Sequence, residues 1–183
     1  MLDLNQKLWE KCAEVHGHEC GGLTIGYKAA LYAMERLNLQ RAEDGCVADS
    51  EVLACVAENN ACSVDGIRVA LGCTEEKGNL VFHLTGQQVY TVFNRKTRET
   101  VRITLKLRPE GLAREQMLAY YQGMEPEEMF DCQPVNFSLP ESARDTREYV
   151  CASCGEKGGA DWFRFVGGKP LCMDCFAEHQ EQN

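Results

Sequence analysis

Four cysteines near the C-terminus form two C-x-x-C pairs, Cys151 with Cys154 and Cys172 with Cys175, and seventeen residues separate the pairs. Each pair can present two thiolates to one ion, and two such pairs complete the tetrahedron that structural zinc prefers. The segment around them is too short to bury a useful core, so a bound metal would supply much of its folding free energy. The spacing therefore predicts a structural zinc site, because protein takes all four positions around the ion.

The residues around this site predict a treble-clef zinc finger, which consists of a zinc knuckle, a hairpin and a helix. Residues 162–166 are expected to form a strand that turns at Gly167 and Gly168. A helix over 172–180 would carry the last two ligands, and its N-terminal amides would favour their negative sulfurs. His179 could replace one cysteine in a variant site with three cysteines and one histidine, but four available cysteines favour a surface position for it.

The composition fits one mid-sized domain with a small module and argues against two kinds of partner. The 183 residues are 44% hydrophobic, and no stretch approaches the roughly 20 apolar residues that a membrane span needs. The N-terminus has no basic segment followed by an apolar run, so we expect a cytoplasmic protein. The net charge of −9 argues against nucleic acid and anionic membranes as partners. The finger is itself acidic, which favours protein contacts for it.

The chain contains eleven cysteines, a high and odd number. In a cytoplasmic chain with C-x-x-C pairs, metal ligation and free buried thiols are better explanations than a disulfide framework. The cysteines outside the finger therefore raise the question of a second metal site.

Hydrophobic patterning predicts an α+β fold class for residues 1–135, with helices packed on an antiparallel sheet. Asp3 is the expected N-cap of the first helix. The predicted helices cover residues 3–15, 23–37, 65–72, 112–121 and 127–130. The predicted strands cover residues 52–56, 80–82, 89–93 and 101–107. Two prolines and little apolar periodicity between Pro134 and Glu148 predict a linker over 136–148, which leaves 149–183 for the finger.

A compact segment after the first helix, His16-Gly17-His18-Glu19-Cys20, contains three metal-ligand side chains. If the segment is extended, residues 16, 18 and 20 point to the same side, where two imidazoles and a thiolate could meet one zinc, iron or nickel ion. Cys20 also precedes a helix, whose dipole and free amides lower a thiol's pKa and make it a better ligand or nucleophile. The residue types leave an equal alternative, an ordinary loop with two exposed histidines and a buried cysteine.

A second cluster of chemically capable residues consists of Glu58, Cys62 and Asp65, with Cys73 further along the chain. Cys62 and Asp65 flank the start of a predicted helix, and Cys73 lies just past its end. Each also has an ordinary explanation, since Glu58 suits a surface, Asp65 suits the first turn of a helix, and Cys73 suits a buried position.

These two clusters resemble the FmdE family of formylmethanofuran dehydrogenase proteins. The first resemblance is carried by the run from His16 to Leu23 together with Gly26-Tyr27. The second is carried by Glu58, Cys62, Asp65, Gly72-Cys73-Thr74 and Gly78-Asn79-Leu80. The likeness covers residues from roughly 10 to 108, and many members of the family also carry a C-terminal treble-clef finger, which matches residues 151–175.

The resemblance implies an α+β core with a metal-binding pocket. In that pocket His16, His18 and Cys20 are expected ligands, Cys62 is expected to come from across the pocket, and the metal is zinc, nickel or iron. The resemblance also implies association with molybdenum- or tungsten-pterin formylmethanofuran dehydrogenase, which reduces carbon dioxide to a formyl group or runs the reverse reaction, as in methanogenesis. The chain departs from the family in having Cys20-Gly21-Gly22 for the usual Cys-Pro-Gly and Glu76-Lys77-Gly78 for the usual Gly-Lys-Gly, and neither change removes a ligand.

Three functions follow as hypotheses. The first is a metal-binding accessory subunit of a molybdopterin dehydrogenase, in which the finger docks a partner and the chain forms a homodimer. The second is a self-standing enzyme with a metal at His16, His18 and Cys20, in which Cys20, Glu58 and Asp65 are the candidate catalytic residues. The third, a zinc-finger regulator that binds nucleic acid, is disfavoured by the acidic charge.

Overall fold

The computed structural model describes residues 3–106, 111–135 and 147–181. Two compact units divide the chain, Met1–Pro140 and Glu141–Asn183. The predicted linker lies almost wholly outside the described residues, and so does Leu107, the last residue of the predicted fourth strand.

The first unit contains five helices and five strands among its described residues. The helices are α1 (Leu4–His16), α2 (Gly21–Arg36), α3 (Ser63–Leu71), α4 (Arg114–Gln122) and α5 (Pro126–Met129). The strands are β1 (Leu53–Ala57), β2 (Leu80–Phe82), β3 (Val89–Asn94), β4 (Thr100–Leu105) and β5 (Phe130–Pro134). None of the described helices combines the length and the apolarity that crossing a membrane requires.

The strands form one mixed sheet in the order β2-β1-β3-β4-β5. The three pairings from β1 through β5 are antiparallel, but β1 and β2 are parallel. A parallel pair needs a crossover connection, and α3 supplies it between these two strands. The predicted α+β class is confirmed, and the sheet differs from the expected fully antiparallel one at this single pairing.

Helix α1 has the ends that its sequence predicts. Oδ1 of Asp3 accepts the N–H of Gln6 at 2.8 Å, which confirms Asp3 as the N-cap. The helix stops at Gly17, whose left-handed φ of 86° suits glycine. Leu8 and Cys12 are the fully buried residues that fix α1 to the core.

Helices α2 and α3 cross at a distance that only glycines allow. A Cβ at Gly26 would lie 1.7 Å from the carbonyl oxygen of Ser63, and one at Gly66 would lie 2.4 Å from the backbone nitrogen of Tyr27. The two helices therefore pack backbone to backbone near their N-terminal ends. This crossing brings the residues that precede both helices into one place.

The second unit has the three parts of a treble-clef finger. Strands β6 (Glu148–Val150) and β7 (Lys157–Gly159) flank a knuckle that contains Cys151 and Cys154. Strands β8 (Phe163–Val166) and β9 (Lys169–Cys172) form a hairpin, and helix α6 (Met173–Glu181) follows. The hairpin turns at Gly167 and Gly168, as predicted, and both have positive φ, as a two-residue turn of this kind requires.

Candidate metal centres

Three of the predicted ligands meet at a junction of helix ends. His16 is the last residue of α1, Cys20 is the N-cap of α2, and Cys62 is the N-cap of α3. One ligand atom from each lies within 4.8 Å of the others. One imidazole and two thiols form a donor set that suits zinc, iron or nickel.

Asp65 fixes the orientation of the His16 ring. Nδ1 of His16 lies 2.7 Å from Oδ2 of Asp65, and because a carboxylate only accepts, Nδ1 carries the hydrogen. Nε2 is then free of hydrogen, and it lies 3.7 Å from Sγ of Cys20. Metal-binding histidines are commonly held by a carboxylate on the other ring nitrogen in this way.

Arg68 in turn holds Asp65, at a distance of 2.8 Å. Burial alone would raise the pKa of Asp65, but the hydrogen bonds from His16 and then Arg68 bring that pKa below its ordinary value. Arg68 also pairs with Glu75. Arg68 and Glu75 were not predicted from the sequence, although the spacing of three residues between Asp65 and Arg68 on a helix was an available signal.

The two cysteines lie where helix dipoles favour negative charge. Sγ of Cys20 accepts the N–H of Leu23 at 3.3 Å, so the sulfur itself caps α2. Burial, and then the nearby Cys20 sulfur, raise the pKa of the Cys62 thiol. A cation between the two sulfurs would reverse both effects, because it favours both thiolates.

The two glycines after Cys20 leave room for this arrangement. A Cβ at Gly22 would lie 3.0 Å from Cβ of Cys62, and one at Gly21 would lie 2.9 Å from Cβ of Met117 in α4. The second helix was predicted to begin at Leu23, whereas both glycines belong to the first turn of α2. The absence of side chains at the two glycines lets Cys62 and α4 approach the start of the helix.

Other predicted site residues lie elsewhere. The segment from 16 to 20 is not extended, because His16 ends a helix, and the exposed His18 stacks on His16 with ring centroids 4.4 Å apart. Among the described residues the ligand set does not include His18. Glu58 is held by Arg102 at 2.7 Å and by Thr85. Cys73 is fully buried, and burial raises its pKa to about 12.

A cavity of about 450 Å³ adjoins the two cysteines. Its lining is Cys20, Gly21, Gly22, Ile25, Ala61, Cys62, Gln88, Leu112, Met117 and Tyr121. This volume is within the range of small-molecule sites in proteins, roughly 300–1,000 Å³. Neither Glu58 nor Asp65 is among these lining residues.

The four finger cysteines fit a tetrahedral zinc site. All four Sγ atoms lie within 4.8 Å of one another, and Sγ of Cys154 is 3.8 Å from Sγ of Cys172. A tetrahedron with Zn–S bonds of about 2.3 Å places its sulfurs about 3.8 Å apart. Cys172 ends the hairpin and Cys175 lies in the first turn of α6, as the sequence predicts.

The finger sulfurs also have the electrostatics of a cation site. Backbone N–H groups of Cys154 and then Cys172 lower the pKa of Cys151 to about 6. The N–H of Glu156 favours the Cys154 thiolate, yet the other three sulfurs together raise its pKa to about 12. A dication would relieve this crowding of negative sulfurs.

These features agree with comparison to known proteins. Residues 15–132 match the model of the family described as FmdE, molybdenum formylmethanofuran dehydrogenase operon. The matched segment is more than half of the chain and contains His16, Cys20 and Cys62. The chain therefore belongs to the FmdE family.

Two individual proteins are similar to this chain. A probable S-adenosyl-L-methionine-binding protein from Archaeoglobus fulgidus is 32% identical over 97 residues, which are 53% of this chain and 26% of that protein. The chain thus spans about a quarter of the length of this relative. The crystal structure of an FmdE-like protein of tungsten formylmethanofuran dehydrogenase, from Syntrophus aciditrophicus, covers 95% of this chain and 92% of its own, at 19% identity and a TM-score of 0.60. That similarity shows a shared fold.

Proposed function

We propose that this chain is a metal-binding protein with two sites of different character. Nε2 of His16 and the sulfurs of Cys20 and Cys62 hold a transition metal, zinc, nickel or iron. Cys151, Cys154, Cys172 and Cys175 hold a structural zinc. The observation that carries the proposal is the convergence of three ligand atoms from three helix ends within 4.8 Å.

His18 is the predicted ligand that this proposal leaves out. Its ring is exposed and lies against the ring of His16, so His16 separates it from the sulfurs in the chain of contacts. Three protein ligands then leave one coordination position open, which distinguishes this site from the closed site of the finger.

We further propose that the chain is an accessory subunit that handles a metal or cofactor for a molybdenum- or tungsten-pterin dehydrogenase. Membership of the FmdE family, whose description names that operon, supports this role. The finger would dock a protein partner, because Trp162 is 70% exposed and Phe165 is 55% exposed on it. The segment shared with the Archaeoglobus protein is a small part of that relative, so the proposal does not extend to S-adenosylmethionine.

A self-standing metal-dependent enzyme is the second candidate, and the cavity beside the open coordination position favours it. A metal there would supply polarisation of a ligand's oxygen. In such an enzyme Cys20 binds the metal and Asp65 positions His16. Glu58 is held in its ion pair with Arg102, so its role as a proton-transfer group has little support from the geometry.

Metal analysis of matched cysteine variants tests the two-site proposal. The purified chain is expected to carry two metal ions, and Cys62→Ser is expected to carry one. Cys73→Ser is the control, because Cys73 is buried outside the ligand set and its variant should keep both ions. A Cys62→Ser protein with the same metal content as the unmodified chain would contradict the N-terminal site.

Affinity purification from the native cells tests the accessory role. The tagged chain is expected to retain pterin dehydrogenase subunits, and Trp162→Ala with Phe165→Ala is expected to lose them while the metal content stays the same. Retention of the same subunits by the double variant would remove the docking role from the finger. Purification without any such subunit, together with turnover of a substrate by the isolated chain, would favour the second candidate.

A further inference from the structure

The cavity beside Cys20 and Cys62 contains one polar side chain whose orientation the surrounding structure determines. Gln88 lies immediately before β3 and lines the cavity. Its amide could in principle present either an oxygen or an NH₂ group to a bound molecule. The buried hydrogen bonds behind it decide which of the two faces the cavity.

A chain of hydrogen bonds that begins at the backbone fixes this amide. The N–H of Ala61 donates to a side-chain atom of Asn59 at 3.1 Å, so that atom is the oxygen. The Asn59 NH₂ group then donates to the carbonyl of Gln87 at 3.0 Å and to the hydroxyl of Tyr90 at 3.3 Å. Because the Tyr90 hydroxyl accepts there, it donates its own hydrogen to Gln88 at 2.7 Å, and the accepting atom is Oε1.

Ser63 completes the set of donors to this oxygen. Its Oγ lies 2.7 Å from Oε1 of Gln88, and both Ser63 and Tyr90 are fully buried. In the part of the chain that the structure describes, the Gln88 side chain makes no further hydrogen bond. Nε2 is therefore the polar end that Gln88 has left for the cavity, and it is a donor of two hydrogens.

The other polar groups around the cavity favour the same kind of ligand atom. Gly21 and Gly22 are the first two residues of α2, and backbone N–H groups at this position have no partner within the helix. The N-terminus of α3 begins next to Cys62 at the same cavity. Both helix ends carry partial positive charge, which favours an acceptor oxygen over a donor.

The remaining walls are apolar. They are formed by Ile25, Ala61, Leu112 and Met117. A molecule that fills such walls needs an apolar body, and the polar corner then selects one of its ends.

We propose that this cavity binds a small organic molecule with an apolar body and a carbonyl oxygen, which accepts a hydrogen bond from Nε2 of Gln88. Gln88 is the specificity-determining residue, since its amide cannot turn over without breaking the bonds to Ser63 and Tyr90. The inference rests on the proposed function in that Cys20 and Cys62 border the same cavity. The ligand is either a carboxylate or a neutral carbonyl compound, and the two share this acceptor oxygen.

Three fluorinated probes test the inference on the full chain by ¹⁹F NMR titration. 4-Fluorobenzoate carries a carboxylate, 4-fluorobenzamide carries a neutral carbonyl, and 4-fluorotoluene has a similar body without a carbonyl group. At least one carbonyl probe is expected to bind about tenfold or more tightly than 4-fluorotoluene, as one good hydrogen bond allows. Binding of benzoate alone identifies a carboxylate ligand, and binding of the amide alone identifies a neutral one.

Gln88→Glu is the matched variant, because it keeps an oxygen toward Ser63 and Tyr90 and replaces the donor with a second acceptor. It is expected to weaken 4-fluorobenzoate at least about tenfold, since a hydrogen bond becomes a repulsion. Gln87→Glu adds the same charge at an exposed neighbour and is expected to leave binding unchanged. In the ¹⁵N-labelled unmodified chain, the side-chain amide signals of Gln88 are expected to shift on titration, a readout that needs no variant.

Several results would overturn the inference. These are binding of 4-fluorotoluene as tight as that of the carbonyl probes, no binding of either carbonyl probe, or Gln88 signals that do not move. Metal content is measured separately on the same sample. A chain that holds metal at His16, Cys20 and Cys62 but ignores the probes contradicts only this inference, and one that binds the probes without holding metal contradicts only the proposed function.

Discussion

The carboxylate of Asp65 accepts the Nδ1 hydrogen of His16 at 2.7 Å, across 49 positions of the sequence. This one bond decides which ring nitrogen of His16 faces Cys20. It also joins the end of α1 to the first turn of α3, so the ring and the Cys62 sulfur keep a fixed relationship. The candidate metal centre is therefore organised before any ion arrives.

Asp65→Asn is expected to weaken metal binding at the N-terminal site by about 10- to 100-fold, the usual effect of losing such a supporting carboxylate. The side chain keeps its shape but loses the charge that stabilises the donating imidazole. Competition with a chromophoric chelator measures the affinity. Glu58→Gln is the control, because Glu58 is paired with Arg102 instead, and an equal loss in that variant would show a general charge effect.

Gly26→Ala is expected to lower the free energy of unfolding by at least about 2 kcal/mol, because overpacking a tight core contact forces backbone shifts. The new Cβ would lie 1.7 Å from the Ser63 carbonyl oxygen. Urea denaturation measures the change. Gly123→Ala is the control, since its Cβ would meet atoms at ordinary distances of 3.5 Å or more, and its stability should stay equal or rise by up to about 1 kcal/mol. Equal effects of the two substitutions would contradict the crossing.

Removing metal with a chelator is expected to unfold the finger while the first unit stays folded. Among its described residues, the buried hydrophobic ones are Cys151, Phe163 and Leu171, so the folding of the finger depends on the ion. In ¹H–¹⁵N correlation spectra, signals of residues 147–181 should collapse toward unfolded positions, and those of β3 and β4 should stay dispersed. A finger whose spectrum is unchanged after complete metal removal would contradict the structural role of zinc.

Cys12 and Cys73 are expected to resist alkylation in the folded protein. Burial raises the pKa of each to about 12, so that near pH 8 almost all of each thiol is protonated and unreactive. Reactivity should rise only as pH approaches that value or as the chain unfolds. Mass spectrometry after iodoacetamide treatment measures this, with exposed Cys154 of the metal-free chain as the reactive reference. Rapid modification of Cys73 near neutral pH would contradict its burial.

Local sequence signals predicted the elements well where the chain itself decides them. Asp3 caps α1 as expected, and the Gly167-Gly168 turn lies where the pattern placed it. The cysteine pairs of the finger were readable for the same reason, because each C-x-x-C turn is a local structure. The parallel pairing of β1 and β2 was missed, since a strand's direction depends on the crossover and not on its own residues.

The candidate N-terminal site was only partly predictable because its members meet through long-range contacts. His16 and Cys20 are close in sequence, but Cys62 joined them only through the family resemblance. His18 was expected as a ligand on the premise of an extended segment, and the helix that ends at His16 removes that premise. Nothing in the sequence pattern pointed to Gln88, whose importance comes from the buried partners that orient it.

An anomalous-difference map from crystals of the purified chain, recorded at the absorption edges of zinc, iron and nickel, tests the two-site proposal most directly. Two peaks per chain are expected. One is a zinc peak among Cys151, Cys154, Cys172 and Cys175, and the other lies between Nε2 of His16 and the sulfurs of Cys20 and Cys62. A map with a peak only in the finger, from protein whose Cys20 and Cys62 are reduced and unmodified, would contradict it.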